Sequence, residues 1–165
     1  LFPYTTLFRS VSKLALFGAA APSLTKRPNF PYGLPKETVT KLIQETYNDR
    51  PKMLRDFGDI FLFQYATQPL QDWFFNLGLE AAGWATADCA TTFRDEELFC
   101  DLEKINVPTL ILHGIHDKVC LFQLAEVMKQ GIKNAKLVPF EYSGHGLFYE
   151  ERDKFNKELI QFIEK

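Results

Sequence analysis

The sequence predicts an α/β fold: three parallel strands with flanking helices, broken by a helical insertion. Three observations carry that expectation. Short apolar runs stand at residues 13–18, 109–114 and 135–142, and the middle one is apolar without alternation, as a strand buried on both faces requires. Four stretches of helical spacing separate the first run from the second, and one follows each of the other two. The chain has 165 residues, 46% hydrophobic and 24% charged, which suits one ordinary domain and excludes a disordered tail.

Residues 13–18, KLALFG, read as a buried strand. Residues 21–35 read as loop, because Pro22, Pro28, Pro31, Gly33 and Pro35 block regular structure. Val39, Leu42, Ile43 and Tyr47 then recur at helical spacing, predicting an amphipathic helix over 36–48. Asp49 suits the cap of a second helix, where the missing N–H of Pro51 costs nothing, with Leu54, Phe57 and Phe61 on its face. A third helix follows Pro69 with Trp73, Phe74 and Leu77 inward, and a fourth over 85–93 uses small residues for close packing. After the strand at 109–114, residues 121–129 read as a helix presenting Leu121, Leu124, Ala125 and Met128, with Gly131 placed to end it. Pro139 cannot donate to a ladder, so the strand over 135–142 belongs at a sheet edge. Phe155, Leu159, Phe162 and Ile163 mark a closing amphipathic helix.

A net charge of −2 lacks the basic footprint of a nucleic-acid binder, and no apolar run approaches the ~18 residues of a membrane span. Cys89, Cys100 and Cys120 are odd in number and irregularly spaced, which fits reduced thiols in a cytoplasmic protein better than disulfides or a zinc ribbon. Aromatics reach 15% with 16 Phe, pointing to an aromatic interior or pocket. Residues 1–10 show no signal-peptide pattern and no clear period. They resemble translated sequencing-adapter ends, so they are set apart as a foreign segment and the true start is expected upstream.

In open α/β sheets reactive groups collect at the carboxyl ends of strands. Two such ends carry titratable residues here: His113-Gly-Ile-His116-Asp117 after the second strand, and Ser143-Gly-His145-Gly after the third. An Asp and a His on neighbouring loops can meet, the carboxylate fixing the imidazole tautomer. Glycines flanking His145 are expected to let the backbone turn sharply and keep the ring uncrowded. Other uses of these residues stay open. Asp117 could cap the next helix, and His145 could be a polar turn residue. His113, His116 and Asp117 could form a metal cluster, although His-x-x-His-Asp matches no helical zinc pair. His113 reads more simply as support for the strand end. Cys120 reads as a packed side chain rather than a nucleophile, and residues 150–154 as a solvated helix start.

The stretches PTLILHGIHDKVC and AKLVPFEYSGHGLFYEE, with KLALFGAAAP, GLPKETV and DLEKINVPTL, resemble the C-terminal part of an α/β-hydrolase. Within that superfamily the chain most resembles the cofactor-free haloperoxidases, which also act as esterases and perhydrolases. The resemblance spans residues 11–165. It implies a core strand in 11–22, a helical cap in 23–100 and the rest of the core in 101–165. It also implies Asp117 as the triad acid, His145 as the general base, a small-molecule ester or acyl substrate, and no cofactor. Phe57, Phe61, Trp73, Phe74 and Trp84 lie in the cap region as candidates for an apolar pocket. The family also places a Ser in a Gly-x-Ser-x-Gly elbow before the acid and the His. Of Ser10, Ser12, Ser23 and Ser143, none has that setting, so no nucleophile is expected within the chain and its partner would be a missing N-terminal half of the same fold. The rival expectation is an inactive fragment or a binding module. A smaller departure is that Lys118–Leu121 has no proline where the family often does.

Overall fold

Strands β1 (Leu14–Phe17), β2 (Thr109–Gly114) and β3 (Ala135–Phe140) form one parallel sheet in the order β1-β2-β3. The computed structural model describes residues 11–64 and 66–164, so the segment set apart at 1–10 lies outside it. Phe17 stands opposite Leu112, and Gly114 opposite Phe140, so all three carboxyl ends open on one side of the sheet. Every residue of β2 is buried. The period of two explains why its apolar run is continuous. Leu110 and Leu112 pack with Phe140, Leu147 and Phe155 on one face, while Ile111 packs with Ala125, Met128 and Ile132 on the other. Each such fully buried leucine contributes about 2 kcal/mol. Pro139 stands in β3, which among the described residues pairs only with β2, so the proline leaves no ladder bond unmade there, and its carbonyl accepts from Lys154 Nζ at 2.7 Å.

The helical run between β1 and β2 comprises α1 (Lys36–Asn48), α2 (Arg50–Phe61), α3 (Gln68–Glu80), α4 (Gly83–Asp95) and a single turn, α5 (Phe99–Leu102), that the periodicity does not announce. Asp49 caps α2, its carboxylate accepting from Lys52 N at 3.1 Å. The small residues Ala87 and Ala90 are the buried positions of α4, which packs closely on α1. The proline-rich loop before α1 is tied to the end of α4 by Arg27, whose guanidinium donates to the carbonyls of Arg94 and Glu96.

The chain then continues through α6 (Phe122–Gly131), α7 (Leu147–Glu150) and α8 (Arg152–Glu164). Three local expectations need correction. In α3 the inward assignment fails for Trp73, 56% exposed, and for Leu77, because α3 packs chiefly on α2 and one stripe suffices for that contact. Ile163, 62% exposed, faces away from the core at the end of α8. Gly131 ends α6 as expected, as its last helical residue and without a left-handed turn, and a Cβ there would lie 2.7 Å from Leu102 Cδ1. The third strand stops at Phe140, and Glu141 and Tyr142 begin the loop.

Candidate active site

The loops after β2 and β3 bring Asp117 and His145 together. Asp117 is buried, and its Oδ1 accepts from Val119 N and Cys120 N, both at 2.8 Å. Oδ2 meets His145 Nδ1 at 2.8 Å. Burial pushes this carboxyl up, but the hydrogen bonds from His113 and His145, the charge of His145 and the Cys120 amide outweigh it, holding the group down at about 2. Asp117 is therefore ionised at neutral pH and can only accept. Nδ1 of His145 must then carry the proton, which leaves Nε2 as the basic nitrogen. The ring is partly open to solvent, and Phe61 lies edge-on to it with centroids 4.9 Å apart. Gly18, at the carboxyl end of β1, has φ +51°, and a Cβ there would lie 3.0 Å from the imidazole Cε1 and Nδ1 and 3.4 Å from Asp117 Oδ2. The ends of all three strands thus converge on one pair of side chains.

His113 does more than support the strand end. It is fully buried, its Nε2 donates to Cys120 O at 2.7 Å, and the same nitrogen stands 3.4 Å from Asp117 Oδ2. Its Nδ1 is buried and has no hydrogen-bond partner among the described residues. Together with the two amide bonds to Asp117, this contact shapes residues 118–121 without the proline that the family often has. His116 is turned to a different neighbour and stacks flat on Phe63 at 3.7 Å. Among the described residues no group of three or more His, Cys, Asp or Glu is arranged to hold a metal ion. Burial and the charge of Asp117 push the Cys120 thiol up, which disfavours a thiolate there.

The glycines flanking His145 act differently from the expectation. Neither has a positive φ. They leave room, since a Cβ on Gly144 would lie 2.9 Å from Phe63 N, and one on Gly146 would strike Leu62 Cδ2 at 2.3 Å. Ser143 is buried, and its hydroxyl donates to Glu151 Oε2 at 2.6 Å. The acidic run at 150–154 is not wholly solvated, because Glu150 and Glu151 both turn inward to accept from the His145 loop. Sequence reasoning missed both glutamates, and their only signal was proximity to His145.

An apolar cavity of about 190 Å³ lies between α2, α3 and α7, with Leu54, Phe61, Leu70, Trp73, Phe74 and Phe148 in its wall. Three of the five aromatic pocket candidates thus border it. Phe57 is one layer back, packing on Phe61 with centroids 5.7 Å apart. Trp84 is 66% exposed and belongs to no part of that wall.

No family model matches the chain. Individual proteins do. It is 47% identical over 152 residues to the AB hydrolase superfamily protein YisY of Bacillus subtilis (strain 168), covering 92% of this chain and 57% of that protein. To the bifunctional esterase/perhydrolase DCH of Acinetobacter calcoaceticus it is 29% identical over 160 residues, covering 93% and 58%. Among solved structures, an esterase from Exiguobacterium antarcticum superposes with a TM-score of 0.91 at 48% identity, over 94% of this chain and 58% of that one. The chain therefore spans a little under three fifths of the length of the relatives it matches. Strand order, loop placement and these likenesses agree: the chain belongs to the α/β-hydrolase superfamily and carries the C-terminal portion of that fold.

Proposed function

We propose that this chain supplies the acid and the base of a serine hydrolase acting on carboxylic esters or related small acyl compounds. The observation that carries the reading is the 2.8 Å bond between the ionised, buried Asp117 and His145 Nδ1. In the complete protein, a serine on a segment outside residues 11–165 attacks the acyl carbonyl. His145 Nε2 takes the hydroxyl proton and returns it to the leaving alcohol as the acyl-enzyme forms. Water then attacks with His145 again as base, releasing the acid. Hydrogen peroxide in place of water releases a peracid, which is the cofactor-free route to perhydrolase chemistry. Residues 23–100 act as the cap, and the cavity beside Phe61 receives the apolar part of the substrate. The free Cys89, Cys100 and Cys120 support a cytoplasmic setting.

A second reading, in which the chain alone performs no acyl transfer, is favoured by its two buried serines. Ser143 is committed to Glu151, and Ser23 is buried in the loop before α1, where it donates to Thr25 O. The test is His145→Ala in the complete protein. Turnover of a p-nitrophenyl ester is expected to fall by about 10³-fold or more with the far-UV spectrum unchanged. Retained turnover would remove His145 from the reaction.

A further inference from the structure

The segment that leaves α2 and the loop that carries His145 are joined through one carboxylate. Glu150, the last residue of α7, accepts from Phe63 N at 2.7 Å and Gln64 N at 2.6 Å with Oε1, and from Gly144 N at 2.7 Å with Oε2. Two further bonds run between the same segments: Gly146 N donates to Phe61 O at 3.1 Å, and Gln64 Nε2 donates to Tyr142 O at 2.7 Å. The held segment carries Phe61, edge-on to His145, and Phe63, stacked on His116. Three amide donors from two chain segments about 80 residues apart thus converge on one side chain. Both of its oxygens serve as acceptors in these bonds, so the side chain has to present an acceptor to each segment at once.

We propose that Glu150 is a positioning residue that couples the helical segment over the site to the base, holding Phe61 and the His145 loop in one fixed relation. This rests on the reading of His145 as general base. Glu150 touches no reacting atom; it acts by fixing two backbone segments, and its loss lets the aromatic wall and the imidazole move independently. Glu150→Gln keeps the shape but replaces one acceptor with a donor. The amide nitrogen then faces either Gly144 N–H or the pair at Phe63 and Gln64, so one side of the clamp opens.

The experiment compares the complete protein with its E150Q variant on p-nitrophenyl acetate and p-nitrophenyl hexanoate, scaling kcat to the folded fraction. The expected result is a kcat per folded molecule lower by about 10- to 100-fold, since small misplacements of reacting groups cost that much. KM for the acetate stays within about twofold, and the preference for hexanoate shrinks, because only the longer chain leans on the displaced wall. Glu158→Gln, which alters only the surface pair with Lys136, leaves activity unchanged. A kcat per folded molecule equal to that of the parent overturns the proposal, as does a loss that only tracks the folded fraction. Should E150Q not fold, Glu150→Asp, whose shorter side chain cannot reach both segments, is read in the same way, and an unchanged kcat per folded molecule there overturns the proposal equally. If the parent hydrolyses no ester, the hydrolase reading fails separately, and amide hydrogen exchange decides the coupling. Faster exchange in E150Q at Phe63, Gln64 and Gly144 together upholds it, and unchanged exchange refutes it.

Discussion

Asp117 shows how a single carboxylate serves geometry and stability at once. It accepts from two amides of its own loop and from His145, and the bonds from His113, His145 and the Cys120 amide, with the charge of His145, outweigh burial and hold its carboxyl at about 2 against an ordinary 3.8. A group whose folded pKa lies below its unfolded one stabilises the fold fully above the unfolded value. That stabilisation is lost as pH falls through the folded pKa, so the window here runs from about pH 5 down to about pH 2. The amount is about 2 kcal/mol. Urea midpoints measured from pH 5 to pH 2 should fall in the parent and fall less steeply in Asp117→Asn, which has no proton to bind. Equal slopes would mean the carboxylate is not held as described. His113 belongs to the same account: its bond to Cys120 O closes the loop around Asp117, at the cost of a buried Nδ1 without a partner among the described residues.

At the scale of elements, closeness is set by side-chain size. Helices α1 and α4 approach through Ala87 and Ala90, and the His145 loop approaches residues 61–63 because Gly144 and Gly146 carry no Cβ. Ala87→Leu forces extra volume between packed helices and is expected to cost about 1–3 kcal/mol. A thermal melt of the complete protein reads that loss, whereas an unchanged midpoint would mean α4 has room that the packing does not show. Helix α3 contrasts with this. It has no buried residue, and its tie to α2 includes Arg55, which pairs with Asp72 at 2.7 Å and lies over the Phe75 ring at 3.8 Å.

Over the whole molecule, the sheet is covered on both faces but open along β1. Phe17, the last residue of β1, is 40% exposed. Among the described residues β1 pairs with β2 alone, which leaves a row of backbone donors and acceptors beside apolar side chains. The chain of residues 11–165 produced alone is therefore expected to bind the dye ANS strongly and to sediment as aggregates. A monomer with a sharp cooperative melt and no dye binding would show that the edge is protected.

Much of this fold was legible in the residues. The unbroken apolar run 109–114 could only be a doubly covered strand, Pro139 could only sit at an edge, and Asp49 before Pro51 marked a helix start. These are local constraints of period, missing donor and cap, written in neighbouring residues. Asp117 and His145 were legible as a pair only because strand ends place loops side by side, and the resemblance to a hydrolase sharpened that reading. What chain order could not encode is which face of a weakly amphipathic helix finds a neighbour: Trp73, Leu77 and Ile163 stay largely exposed because the contact surface offered to them was small. Nor could it show that Glu150 and Glu151, acidic residues at a helix start, fold back onto amides from two other segments. Local pattern determines where elements begin, end and bury a face, since those depend on covalent neighbours. Tertiary structure alone decides which donors and acceptors from distant segments meet, because a hydrogen bond depends on positions in space that many other contacts set together.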